Sequence, residues 1–204
     1  MVRSIIYAIL LGIGMAACLS QRDDEAEIEA ERPATTAEAE LSDIERKPDP
    51  ASFVIQKGEV GDMEIGALID SVRNQVPAGY TLTDTVLLLE GTQAAAYLLK
   101  PNNHNKGLII EQLCNPSCRV WRINVQHPDF KTPKGIGVGS KYSEVQRYYP
   151  ISAIELADGG LVALSEQGGM TFVLDTSQIP KSEVASLTPQ TVPANTIIKG
   201  ILIY

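Results

Sequence analysis

An internal repeat constrains this chain more than any other feature. The run Val60-Gly61-Asp62-Met63-Glu64-Ile65-Gly66-Ala67-Leu68-Ile69-Asp70-Ser71-Val72 realigns with Pro133-Lys134-Gly135-Ile136-Gly137-Val138-Gly139-Ser140-Lys141-Tyr142-Ser143-Glu144-Val145 at a constant offset of 73 residues. Met63 matches Ile136, Ile65 matches Val138, Gly66 matches Gly139 and Val72 matches Val145. Pro77 and Pro150 close both copies in the same register. A repeat of this kind sets architecture, because each copy builds one supersecondary unit and buries its apolar face against neighbours.

Each copy reads as a short strand, a tight turn and a helix. Ile136 and Val138 alternate with glycines, as in a strand with one buried face. Gly66 and Gly139 are the structural turn glycines, and Ser140 stands where a helix cap is expected. Tyr142, Val145 and Tyr149 fall on one helical face in the second copy, and Leu68, Val72 and Val76 in the first. Strand-like runs follow each helix: Thr83–Glu90, Ala94–Lys100, Gly107–Gln112 and Arg119–Gln126, then Ile151–Leu156, Leu161–Ser165, Thr171–Asp175 and Thr196–Tyr204. The expected fold class is α+β. It comprises two tandem pseudo-symmetric units, about 58–130 and 131–204, each a helix packed on an antiparallel sheet.

The first residues read as an export signal. Arg3 precedes an apolar run from Ile5 to Ala17, which ends in small side chains before Cys18. The run is short of the roughly 20 residues that span a bilayer. Met15-Ala16-Ala17-Cys18 resembles the lipobox of bacterial lipoproteins. The resemblance implies a signal peptide over 1–17, acyl chains on Cys18 and a membrane partner reached through them. Leu19 after the Cys, in place of Asp, implies the outer membrane where the cell has one.

Residues 18–52 then read as a lipidated Cys followed by a disordered acidic tether. The 19–52 segment has 11 acidic and four basic residues and no aromatics, too little apolar surface to offset its ordering entropy. As a coil its 34 residues span roughly 30 Å. The segment 53–204 keeps 12 basic and 14 acidic residues, so the acidity of the chain belongs mainly to the tether. No basic patch invites nucleic acid.

The segment 130–150 is similar to a signature of bacterial envelope proteins: Thr132, Gly135-Ile136, Val138-Gly139-Ser140, Glu144-Val145 and Tyr149 carry it. The same glycine-then-helix unit resembles the tandem repeats of the β-lactamase inhibitory proteins and the small lipoprotein of the outer-membrane β-barrel assembly machine. That resemblance implies a fold and a binding role, and it carries over no catalytic residue.

Cys114 and Cys118 form a close pair around the turn formers Asn115 and Pro116. Outside the cytoplasm such a pair is most simply a disulfide, with Cα atoms about 4.4–6.8 Å apart. Thiol redox chemistry and metal binding remain alternatives. The first usually uses Cys-x-x-Cys before a helix, and the second has only His104 and His127 to add. Gly135, Gly137 and Gly139 lack the spacing of a dinucleotide or phosphate loop and read as turn residues. Ser140 and Ser165 stand in no recognisable triad, the two histidines read as exposed loop residues, and Trp121 reads as core or sheet packing. Tyr142, Tyr148 and Tyr149 read as helix packing, with any exposed member available to an interface.

No catalytic residue, metal or cofactor is assigned. The expected function is a lipid-anchored envelope protein that binds or scaffolds another envelope protein. The alternative is small-ligand or metal binding, or an unassigned enzymatic activity, in the cleft between the units.

Overall fold

The computed structural model describes residues 49–204 apart from Glu90, Asp158 and Gly159. The signal segment, Cys18 and the tether as far as residue 48 lie outside the described residues. No described helix is long and apolar enough to cross a membrane.

Eight strands form one antiparallel sheet: β4 (Tyr80–Leu89), β5 (Thr92–Pro101), β6 (Leu108–Cys114), β7 (Cys118–Val125), β8 (Ala153–Ala157), β9 (Gly160–Ser165), β10 (Met170–Leu174) and β11 (Ile198–Ile203). Their order is β4-β5-β6-β7-β11-β10-β9-β8. The expected strand runs lie within a few residues of these elements. Each four-strand stretch is an antiparallel meander, with β10 and β11 joined by a long connection that carries the short helix Lys181–Val184, and the two last strands, β7 and β11, meet at the centre. A small second sheet joins β1 (Ile55–Gln56), β2 (Glu59–Val60) and β3 (Met63–Glu64). Helices are few and short: α1 (Ile69–Val72), α2 (Tyr142–Tyr148) and α3 (Lys181–Val184). The fold is thus α+β with most of its weight in the sheet.

One face of the large sheet carries the core. Leu99, Leu108, Ile110, Val120, Ile123, Phe172, Leu174, Ile198, Ile201 and Ile203 are buried there beneath Ile55, Met63, Val72, Phe130, Tyr142 and Val145. Each large apolar side chain removed from water contributes about 1.5–3 kcal/mol before chain entropy is counted.

Both glycine turns dock on the central strands in the same way. Gly66 donates its N–H to Val120 O at 2.7 Å, and Gly139 donates to Ile198 O at 2.8 Å. Val120 N–H returns a bond to Ala67 O, and Ile198 N–H to Ser140 O. Leu68 bridges Arg119, as Lys141 bridges Ile197. The glycines have φ of 86° and 90°, a region that side chains rarely enter.

Bulges fall at matching places too. Glu111 pairs with Arg122 and Gln112 with Val120, so Trp121 is left over in β7. Val173 pairs with Gly200 and Leu174 with Ile198, so Lys199 is left over in β11. An inserted residue bends the strand and switches which side chains face the core. Trp121 therefore points away from the core and is 42% exposed, although simple alternation places it with Ile123 and Val125. Of the two expected places for Trp121, core or sheet packing, the structure gives the second: the ring lies on the sheet against Tyr204 and Arg122.

Other expectations are corrected at the helices. The first copy forms one turn only, with Ile69 and Val72 buried and Leu68 49% exposed just before it. The β-branched Val76 before Pro77 resists helical backbone. In the second copy Lys141, not Ser140, is the cap residue, and its N–H is bound by Glu144 Oε2 at 2.7 Å. Ser140 Oγ instead accepts from Gly137 N–H at 3.1 Å. Tyr142 and Val145 are buried as expected, and Tyr149 packs against Phe172.

Candidate functional site

The sheet face opposite the core bears a groove at the β7–β11 seam. Were the eight strands flat, the two edges would lie about 34 Å apart. Yet one groove of about 490 Å³ is lined by Leu87 and Leu88 from edge strand β4, Ala157 from edge strand β8, and residues of β6, β7, β10 and β11. The sheet therefore curls, and this face is its concave side.

The floor differs on the two sides of the seam. On the β6–β7 side stand Ile109, Glu111, Arg122, Asn124 and Gln126; on the β10–β11 side stand Val173, Gly200 and Leu202. Val162, Val173 and Leu202 are almost fully buried in a small apolar cluster of their own, with Leu164 against it. Lys106 and Lys199 add two cations to the lining. No ion pair joins either to a described carboxylate. Asp175 is nearest in effect: hydrogen bonds from Ser177 hold its carboxyl below the ordinary value, with a smaller contribution from the charge of Lys199.

Glu111 and Arg122 are adjacent across β6 and β7 and bind each other through two hydrogen bonds of 2.8 and 2.7 Å. Both are largely withdrawn from water. Burial works to lower the Arg122 pKa, but the hydrogen bonds and charge of Glu111, with Tyr204 adding to them, together raise the value. The guanidinium also lies 5.3 Å from the Trp121 ring and 5.9 Å from the Tyr204 ring. Those two rings meet edge-on at 6.1 Å, and Tyr204 is 47% exposed. The result is an aromatic–guanidinium cluster at the rim of the groove.

A second patch lies near Phe53, Tyr80 and Phe130, whose rings contact one another. Tyr80 donates to Asp129 Oδ2 at 3.1 Å, and burial first, then that carboxylate, raises the phenol pKa. His104 and His127, far apart in sequence, stack edge-on with centroids 4.8 Å apart. His127 is 5% exposed, which corrects its reading as an exposed loop residue. Burial lowers its pKa and nearby His104 adds to this, while Asp129 opposes.

Cys114 and Cys118 are joined in a disulfide at the tip of the β6–β7 hairpin. Their Cα atoms are 3.9 Å apart, nearer than expected, because the two residues sit directly opposite each other in the register. Ser165 Oγ accepts from Gly168 N–H at 3.3 Å, and neither it nor Ser140 meets a histidine. Among the described residues no three His, Cys, Asp or Glu side chains gather as a metal site. Gly135 and Gly139 both adopt positive φ, in keeping with turn positions.

The Glu111–Arg122 pair and its aromatic neighbours went unnoticed in the sequence. Pairing the two hairpin arms outward from Cys114 and Cys118 sets Glu111 opposite Trp121, and only the bulge brings Arg122 opposite Glu111.

No protein-family model matches the chain, and no curated protein matches it. Among solved structures, the uncharacterised protein YfeY from Escherichia coli aligns with a TM-score of 0.56 and 14% identity, over 74% of this chain and 98% of that one. The likeness is one of fold.

Proposed function

We propose that this chain is a lipid-anchored protein of a bacterial envelope that binds another envelope protein on the concave face of its sheet. The exposed Trp121–Arg122–Tyr204 cluster carries the reading. Trp, Tyr and Arg dominate the energetic centres of protein interfaces, and a Trp ring already packed against Arg122 and Tyr204 has less ordering entropy to lose on binding. Anchoring rests on the Met15-Ala16-Ala17-Cys18 sequence, and the acidic run after it serves as the spacer from the membrane. Acyl chains, each buried methylene contributing roughly 0.8 kcal/mol, would hold it there.

We also read the domain as two pseudo-symmetric units arising by duplication. The matched glycine turns, hydrogen bonds and bulges support this. The groove then lies between the units, which is where a small ligand would also sit. The aromatic cluster lies at the open rim, and this favours a protein surface over an enclosed small molecule.

The test is site-specific photo-crosslinking in intact cells, with the crosslinking residue at position 121 on the concave face or at Tyr148, 45% exposed on α2. Discrete protein adducts from position 121 and few from 148 are expected. Adducts from 148 alone would overturn the assignment of the face. The anchor is tested separately: radiolabelled palmitate should enter the wild type and not Cys18→Ser.

A further inference from the structure

We infer that the seam groove receives an acidic polypeptide segment of the partner, with its carboxylates against Lys106 and Lys199 and an apolar side chain on Leu88. This rests on the partner-binding reading and adds the chemistry of the partner. The charge pattern points to it. Of the groove's three cations, Arg122 is satisfied by Glu111, whereas Lys106 and Lys199 have no described carboxylate within ion-pair distance. A ligand with two carboxylates would meet both, and one with basic groups would meet like charge.

The split floor narrows the ligand further. Beside the cations stand the side-chain amides of Asn124 and Gln126, which offer both donors and acceptors to a peptide backbone. An acyl chain laid over them would strip their water without replacing its hydrogen bonds. Across the seam the floor is closed, with Val173 and Leu202 almost fully buried beside Gly200, and an exposed apolar side chain of the groove is Leu88 on edge strand β4, 73% exposed. A segment that alternates acidic and apolar residues fits both the cations and Leu88.

The experiment titrates the full chain with a synthetic octapeptide of alternating Glu and Leu, followed by calorimetry and by the fluorescence of Trp121, the single tryptophan. Octapeptides alternating Gln and Leu, or Lys and Leu, and decanoate serve as comparators. The Glu/Leu peptide should bind at least tenfold more tightly than either other peptide, change the Trp121 emission, and weaken as salt is raised. Lys106→Glu with Lys199→Glu should lose at least tenfold in affinity while keeping the thermal midpoint. Equal binding of the Gln/Leu peptide, binding of decanoate alone, no binding of the Glu/Leu peptide, or an unchanged affinity in the charge-reversed variant would each overturn the inference. Crosslinks from position 121 that persist in that variant would overturn the inference and leave the concave-face reading standing; their absence in the wild type would remove the reading itself.

Discussion

Asn124 and Leu202 face each other across the seam between β7 and β11, flanked by Val125 with Ile201 and Ile123 with Ile203. The bulges and glycine-turn hydrogen bonds match Val120 to Ile198, and so Asn124 to Leu202. Each seam pair therefore joins a position to the counterpart of its mirror position, with the centre at Asn124 and Leu202. That is the register a two-fold relation between the halves requires. On the proposed duplication it also accounts for the split floor of the groove, the matched positions carrying an amide on one side and an aliphatic chain on the other.

The proposed duplication makes Gly66 and Gly139 equivalent. Each has φ near 90°, and a Cβ added at either would meet nothing within 4 Å. The cost of Gly66→Val or Gly139→Val is therefore backbone strain and not collision, about 1–3 kcal/mol. Urea denaturation of both variants should show similar losses. A neutral effect at one position only would break the equivalence.

Glu111 and Arg122 form a buried pair, and removing one partner strands the other charge. Arg122→Met should destabilise by about 3 kcal/mol or more. Adding Glu111→Gln should recover much of that loss, because the stranded carboxylate is then gone. A double-mutant cycle by denaturation measures this, and purely additive losses would contradict the pairing.

His127 gives a pH dependence of definite sign. Its folded pKa lies below the ordinary 6.5, because burial disfavours the charged ring. The unfolded chain then binds more protons in the window below about 6.5. Stability from this residue is complete above that value and is lost as pH falls through the lower folded value. Between pH 7.5 and 5.5 the thermal midpoint should fall further in the wild type than in His127→Gln. Equal falls would assign the ring no part in acid sensitivity.

Much of the sheet was legible from the amino acids. Turn signals such as Gly91, and the runs of alternating apolar residues between them, placed all eight strands of the large sheet. Cys114 and Cys118 were legible as a disulfide because an isolated close pair outside the cytoplasm is most simply oxidised, and Asn115 and Pro116 let the two approach across a tight turn. What alternation could not reveal was the pair of bulges. A period of two puts Trp121 in the core with Ile123, and only the extra residue in β7 turns it outward. Of the short β1–β3 sheet only β3 was expected, as the strand of the first copy, because two-residue strands carry no period; the matching strand over Ile136 and Val138 does not form. His104 and His127 escaped notice because their contact joins the loop after β5 to the end of β7, 23 residues later.

The most direct measurement is the affinity of the crosslinked partner for single-residue variants of the two faces. Trp121→Ala removes a rim aromatic of the kind that contributes about 2 kcal/mol or more to an interface, roughly 30-fold in Kd. Tyr148→Ala removes a comparably exposed aromatic from α2. The account predicts a loss of that order for Trp121→Ala, with Tyr148→Ala within about twofold of wild type. The reverse result, or equal affinities for all three proteins, would contradict a concave binding face.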